Sequence, residues 1–416
     1  MGENPSSART ADVVVIGGGV IGCAIAFRLA QAHLKVVVLE RGEPGGEASG
    51  AAAGMIAPQG EMVNFDAFFE LCAASRDLYP SFVEEVEELS GESVGYRRDG
   101  ILMVAADDQH SRELEEVSRS QTRQGLPLER LTAESVHERV PGLSPAVRWG
   151  LFVRGDHWVD NERLTRALAK AAERLGVAFR AHTAATRLHV AGGRVSSVET
   201  RSASGAANSP ISAGHFILAA GCWSCELTAP LGMYLPVQPC RGQMIEFESP
   251  RELPLVVRAG HHYLVPRAPR RILVGTTAEY AGYQKEVTGE GLRSILEGAW
   301  RFAPLLKDLR FRRAWAGLRP DTADHLPVLG YGEVENLIFA TGHFRNGILL
   351  APVTARLISE LLLTGSTSRS IEAYRPTRFK ARPADDSTQG STGLLGSSAA
   401  TGESAGAMNG SRGKKT

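Results

Sequence analysis

The stretch VVVIGGGVIGCAIAFRLAQAHLKVVVLE, residues 13–40, decides the architecture. Val13 to Ile16 is an apolar run of the kind that forms a buried strand. Gly17, Gly19 and Gly22 then fit G-x-G-x-x-G, a helix-period stretch follows to about Ala32, and a second apolar run ends in Glu40. This is a βαβ dinucleotide-binding unit, with its glycines in the strand–turn–helix context they require. Gly17 permits the tight turn, Gly19 lets the backbone approach a pyrophosphate, and Gly22 lets the helix lie close on the strand. The helix start offers free N–H groups and a positive dipole end to the phosphates. Glu40 can accept hydrogen bonds from ribose hydroxyls, and its charge repels a 2′-phosphate. An adenine dinucleotide follows. NAD and FAD both fit this unit.

The whole chain has 416 residues, enough for two or three domains with sizeable cores. Apolar residues make up 43% and charged residues 22%, a globular composition. Lys+Arg and Asp+Glu stand at 46 each, so no net field recruits nucleic acid or an anionic membrane. No apolar run reaches the ~18–20 residues that a membrane-spanning helix needs. MGENPSSART, residues 1–10, lacks the apolar centre of a signal peptide; Gly2 with Ser6 matches the loose myristoylation pattern by chance. The five cysteines, Cys23, Cys72, Cys222, Cys225 and Cys240, form no disulfide framework, which points to a reducing cytoplasm. Cys222 and Cys225 make a lone C-x-x-C, readable as a redox pair, as half a zinc site or, more plainly, as small residues behind a glycine turn.

Past Glu40 the chain runs through RGEPGGEASGAAAGMIAP, residues 41–58, whose Gly/Ala backbone can approach a flat cofactor unobstructed. An NAD domain usually proceeds to further βα units at this point, so the segment favours FAD. Residues 65–90 carry apolar side chains at helical spacing and close at Gly91. VGYRRDGILMVA, residues 94–105, reads as a strand pair turning at Asp99-Gly100. Residues 108–139 read as mostly helical, and Asp160 or Asn161 caps a helix that ends at Gly176. Strand-like pieces at 177–200 precede a Gly/Ser-rich excursion at 201–214. Residues 233–280 then alternate like an antiparallel sheet, a helix covers about 288–302, and a last strand–glycine turn–helix begins near Leu337. The composition beyond Arg378 cannot bury a core.

The fold expected is therefore α/β (mixed α+β): a Rossmann-like FAD-binding domain interleaved with an inserted antiparallel-sheet substrate domain. The first is assigned residues 11–95, 146–232 and 313–378, the second 96–145 and 233–312, and 379–416 is expected to be a disordered tail.

VIGGGVIGCAIAFRLA (15–30), EASGAAAGMIAP (47–58), PCRGQM (239–244), YLVPR (263–267), VGTT (274–277), WAGLRPDTADHLPVLG (315–330) and GHFRNGILLAP (342–352) together resemble the FAD-dependent D-amino acid oxidase superfamily. Within it they most resemble the glycine oxidases of thiamine thiazole synthesis. The resemblance covers about residues 11–375 and implies FAD contacts in four places. Gly17, Gly19, Val20, Ile21 and Gly22 fall at the phosphate turn; Glu40 and Arg41 at the adenosine ribose, with Ala185 at adenine. Ala48, Ser49, Ala53, Gly54 and Met55 fall along the pyrophosphate and isoalloxazine. His343, Phe344, Arg345, Asn346, Gly347, Ile348 and Leu349 fall past the flavin ring. A helix starting near Asn346 aims its positive end at that ring, where reduced flavin gathers negative charge near N1 and O2.

For the substrate, the resemblance places Arg319 as the carboxylate anchor, and the planar guanidinium fork suits a desolvated carboxylate. Tyr263 is implied as a second carboxylate donor, Arg345 as a helper at the carboxylate or flavin, and His261 as a residue of the pocket entrance. Ala278 falls at a pocket-facing position where glycine oxidases often carry bulkier residues, and Cys240 replaces a usual valine. No cysteine follows Cys240, so the FAD is expected to be non-covalent, and no metal is expected. The implied activity is oxidative deamination of glycine, sarcosine or D-alanine, with dioxygen as acceptor, in a cytoplasmic homo-oligomer. It needs no general base if the amine binds neutral. Rival readings are a D-amino acid or secondary-amine dehydrogenase that passes electrons to a quinone, and a non-catalytic flavoprotein subunit.

Overall fold

The structure, a computed structural model, describes residues 11–61 and 65–379. The myristoylation-like start and, Phe379 apart, the expected tail lie outside the described residues. The opening unit forms as its pattern requires. Strands β1 (Ala11–Ile16) and β2 (Val36–Leu39) run parallel, joined by helix α1 (Val20–Gln31). The Gly/Ala-rich segment holds three short pieces, α2 (Ala48–Ala51), β3 (Met55–Ile56) and α3 (Pro58–Glu61). Helix α4 (Ala67–Ser90) begins where the Asp66 carboxylate accepts from the Phe68 and Phe69 amides, and stops at Gly91 in the left-handed region.

Two expectations change in the next stretch. Residues 94–105 are not a hairpin. Arg97 bridges Trp158, and only Ile101–Val104 form a strand, β4. Gly100 has φ 84°, and a Cβ there would stand 2.5 Å from the Phe152 ring, so backbone conformation and close packing both call for glycine without a hairpin. The 108–139 region is interrupted: α5 (Asp108–Arg123) breaks before Gly125, and strand β5 (Glu129–Thr132) precedes α6 (Ala133–Arg139). Strands β6 (Trp149–Val153) and β7 (His157–Trp158) lead to α7 (Asn161–Arg174), capped by Asp160.

Strands β8 (Ala178–Arg180), β9 (Thr183–Ala191) and β10 (Arg194–Ser202) follow. The excursion expected at 201–214 is ordered: a turn through Gly205 returns the chain as β11 (Ala207–Ile211), antiparallel to β10. Then come β12 (Ala213–Leu218), α8 (Ser224–Thr228), β13 (Val237–Glu248), β14 (Val256–Ala259), β15 (His262–Arg267) and β16 (Arg271–Gly275). Helix α9 (Gly289–Phe302), β17 (Arg310–Thr322), β18 (Val328–Tyr331), β19 (Leu337–Thr341) and α10 (Gly347–Thr364) complete the fold.

Two large sheets organise these elements. One has the order β18-β19-β12-β1-β2-β8 and is parallel except for β18. Its residues alternate between two cores: Val13, Val15, Val36 and Val38 face α1, α4, α7 and α10, while Val14, Ile16, Val37 and Leu39 face the β9–β11 side. The other sheet has the order β17-β13-β16-β15-β14-β4-β6-β5 and is antiparallel except between β14 and β4. Its apolar face takes Ile295, Ala299 and Phe302 of α9. Both β6 and all of β17 belong to this second sheet, so the cuts expected at 146 and 313 fall just before one of its strands and inside another. The segment Phe344–Thr364 does reach membrane-spanning length, with mean hydropathy 1.5, contrary to the sequence reading. Its apolar surround is matched by burial against α1 and α4.

Candidate active site

A cavity of about 460 Å³ opens where the parallel strands end, at Ile16, Leu39, Ala219 and Thr341, and extends to β13, β15 and β17 of the other sheet. This is the usual ligand position in such folds, and the volume suits a bound small molecule.

At one end lies the glycine turn. Gly17 has φ 112°, and a Cβ on Gly22 would stand 1.9 Å from the Gly17 carbonyl oxygen, so only glycine lets α1 sit this close. Gly22 serves that packing and does not line the cavity. The Glu40 carboxylate is buried and accepts from the Gly18 and Gly42 amides, each at 2.7 Å. It thereby braces the turn, and each oxygen keeps a further lone pair toward the cavity. Not every N–H of the α1 start is free: Ser49 Oγ accepts from Val20 N at 2.9 Å, a cap supplied from 29 residues away. The Arg41 guanidinium stacks over the Trp223 ring and donates to Glu47 at 2.8 Å. Glu47 also takes Lys285 at 2.8 Å; burial pushes its carboxyl pKa up, but these two cations hold it below the usual value. Ala184, Ala185 and Thr186 line the same end.

Ala48, Ser49 and Ala51 to Met55 form the middle wall. Its tightness shows at Gly317 of β17, where a Cβ would meet Ala51 Cβ at 2.3 Å. Opposite, His343, Phe344, Arg345, Gly347 and Ile348 line the cavity. Asn346 instead forms the cap position of α10, and Leu349 enters the core. Burial pushes the His343 imidazole down to about 3, so it is neutral; its Nε2 meets Thr354 Oγ1 at 3.1 Å.

At the far end stand Arg319, Tyr263, Arg345, Met244, Thr276 and Glu61. Arg319 donates to the Thr277 carbonyl (3.1 Å) and Thr276 Oγ1 (2.9 Å), and no carboxylate among the described residues pairs with it. It lies across Gly242, where a Cβ would stand 2.2 Å from Nη2. The Tyr263 O–H is buried and points at Met244 Sδ, 3.3 Å away, a weak acceptor. Burial raises the phenol pKa, against the pull of Arg319 and Arg345, so Tyr263 keeps its proton at neutral pH. Arg345 reaches Glu61 at 3.6 Å.

Glu61 was not anticipated from sequence. It ends α3, whose Gly60 amide donates to Asp156 at 2.6 Å while Arg258 donates to the Gly60 carbonyl. Two anticipated residues lie elsewhere. His261 is exposed and lines a separate cavity of about 280 Å³ with His110, His262 and Glu113. Ala278 is exposed past the point where the chain leaves the cavity, and Thr276 lines it instead. All five cysteines are free thiols; Cys222 is buried with its thiol on the Leu318 carbonyl. Among the described residues no group of three His, Cys, Asp or Glu side chains is placed to hold a metal.

The family described as FAD dependent oxidoreductase matches residues 12–361. The chain belongs to this family. It is 39% identical over 377 residues to the bifunctional protein ThiO/ThiG of Trichormus variabilis, covering 89% of this chain and 55% of that protein. The chain thus spans about half the length of the bifunctional relatives it matches. It is 35% identical to the glycine oxidase of Pseudomonas putida, across 84% of this chain and 94% of that enzyme. The crystal structure of glycine oxidase from Geobacillus kaustophilus superimposes with a TM-score of 0.82 at 31% identity, across 88% of this chain and 98% of that one.

The residues of this FAD-dependent oxidoreductase fit the dinucleotide. The cavity joins a βαβ phosphate turn to a second helix start, and its middle wall carries almost no side chain beyond Cβ. Gly54, with φ 77° and no room for a Cβ beside the Val159 carbonyl, keeps that wall close to β7 and its neighbours. Glu40, Ala185 and the α1 turn would hold the adenosine and phosphates. Met55, Gly347 and Ile348 would face the flavin.

Proposed function

We propose that this protein is a cytoplasmic glycine oxidase that acts on glycine, sarcosine and D-alanine, with dioxygen as electron acceptor. On this reading the products are an imine or its 2-oxo acid, ammonia (methylamine from sarcosine) and hydrogen peroxide, and the imine of glycine feeds thiazole synthesis for thiamine. The observation that carries it is the pair Arg319 and Tyr263: a guanidinium with no carboxylate partner among the described residues and a buried phenol O–H on a weak acceptor, both lining one cavity end. Two such donors lack the group that an amino acid carboxylate supplies.

The chain's part is to hold and orient. Arg319 is itself fixed by Thr276 Oγ1 and the Thr277 carbonyl, so its remaining N–H groups meet the substrate without reorganising. Tyr263 donates to the same carboxylate. Arg345, held near Glu61 at the same cavity end, helps at the carboxylate or the flavin. The neutral His343 adds no charge beside the flavin position. FAD, when bound, would supply the acceptor for a hydride from the substrate Cα, and water would hydrolyse the imine that this leaves. The relatives named glycine oxidase support the substrate class, and the free thiols support the compartment. Mixing the yellow protein with glycine under argon tests the reading: bleaching of the flavin is expected, followed by peroxide when air is admitted. A flavin that glycine leaves oxidised overturns it, and reduction without peroxide moves the assignment to a dehydrogenase.

A further inference from the structure

Helix α10 carries a proline in its second turn, Pro352. Proline has no backbone N–H, so the carbonyl four residues earlier, that of Ile348, loses its α-helical partner. The Tyr79 hydroxyl, reaching over from α4, donates to that carbonyl. The next carbonyl, of Leu349, accepts from Ser75 Oγ at 2.6 Å, and the Val353 amide donates to the same Oγ at 3.3 Å. Ser75 and Tyr79 are four residues apart on one face of α4, and both are wholly buried. A residue pair outside the cavity thus repairs the proline break in the turn that lines it.

The contacts continue to the opposite wall. The Tyr79 ring stacks on Tyr96, with centroids 5.8 Å apart and planes 24° from parallel. Tyr96 OH meets His157 Nδ1 at 2.6 Å, and burial with the nearby Arg98 and Arg76 pushes that imidazole down to about 4, so it stays neutral. His157 pairs with Ile56 across β3 and β7, one residue from cavity-lining Met55. One chain of contacts joins both walls.

We propose that Tyr79 and Ser75 are positioning residues for the flavin. They hold the first turn of α10, which presents Gly347 and Ile348 to the cavity, so that its positive end is aimed at the charge of the reduced ring. The inference rests on the reading that the flavin ring lies against this turn. Without the Tyr79 hydroxyl the Ile348 carbonyl loses its side-chain donor, without the Ser75 hydroxyl the Leu349 carbonyl loses its own, and either loss frees the turn to tilt.

The test measures the two-electron midpoint potential of bound FAD and its affinity for sulfite. The proteins compared are wild type, Tyr79→Phe, Ser75→Ala, and Tyr79→Phe combined with Pro352→Ala. Each single variant is expected to keep its flavin, bind sulfite about tenfold more weakly, and favour the reduced form about tenfold less, which is a fall of about 30 mV. The double variant is expected to recover, because replacing Pro352 with alanine returns an N–H to the Ile348 carbonyl. Phe302→Leu, in the core under α9, is the control: a lower melting temperature with an unmoved potential. Variants that melt early like this control while keeping the wild-type potential overturn the proposal. Should Tyr79→Phe fail to fold, Ser75→Ala decides alone. Gly347→Asp reports the flavin placement separately, since its Cβ has ordinary room and its charge lies in the turn itself. A potential that ignores this charge puts the ring elsewhere.

Discussion

The two ends of the cavity are built on opposite principles. At the nucleotide end the polar groups are already partnered within the chain: Glu40 with two amides, Ser49 with Val20, Arg41 with Glu47 and Trp223, Glu47 with Lys285. At the substrate end no carboxylate among the described residues pairs with Arg319, and the Tyr263 O–H is directed at the weak acceptor Met244 Sδ. The contrast follows from residence time. A cofactor that stays is served by a rigid cradle, whereas a substrate that comes and goes must find donors whose hydrogen bonds are still to be made.

The largest effect should come from breaking the partnered end. Glu40→Ala strips the buried Gly18 amide of its acceptor, at about 1–3 kcal/mol, and the half-buried Gly42 amide at less. The protein should then purify largely without flavin and melt earlier, read from the flavin-to-protein ratio and a thermal scan. Glu40→Gln should keep part of both, since its carboxamide oxygen still accepts. Normal flavin content in the alanine variant would remove Glu40 from the cradle.

Arg319→Ala attacks the open end and should leave flavin content intact. A charge-assisted hydrogen bond contributes about 1.5–3 kcal/mol, so kcat/KM for glycine should fall about 10- to 150-fold, with Lys recovering only part. Near-normal efficiency would move the anchor to Arg345.

Tyr263→Phe is milder, about 2- to 12-fold in kcat/KM, because a neutral hydrogen bond contributes about 0.5–1.5 kcal/mol. The phenol donates only while protonated, and burial raises its pKa above the usual tyrosine value. The wild-type alkaline limb should therefore begin above pH ~10, and the Phe variant should lack it. A limb that persists in the Phe variant belongs to another group. Lys285→Ala, at a half-exposed ion pair, should weaken FAD binding by no more than about fivefold in titrations of apoprotein. A larger loss would mean that the 276–288 segment itself holds the cofactor.

Much of this site can be read in the chain because its causes are local. The glycines of residues 17–22, the caps at Asp160 and Gly91, and the acid at Glu40 act within one turn or one βαβ unit, so neighbouring residues carry the signal. The hairpin expected at Asp99-Gly100 shows the limit of local reading: a glycine with φ 84° that packs on the Phe152 ring outside any hairpin looks the same in sequence as the glycine of a hairpin turn. Likewise His261 and Ala278 lie within a few residues of Tyr263 and Thr276, and the strand ends carry them out of the cavity.

By itself, then, the sequence determined the βαβ unit, the dinucleotide, the family and the identity of the carboxylate-binding candidates. The first two depend on residue type at short, fixed spacing; the family and the candidates follow from the resemblance of motifs spread along the chain. Only the tertiary structure decided what those residues touch. The pairing of β13 with β17 sets Cys240 opposite Arg319 and Gly242 opposite Gly317, which clears the space the guanidinium occupies. The Ser49 cap, the Glu61–Arg345 pair and the Tyr79 and Ser75 support of α10 join residues 29 to 284 positions apart. Hydrogen bonds over such distances leave no periodicity in the chain, because the intervening residues are free to vary so long as the sheets bring the partners together.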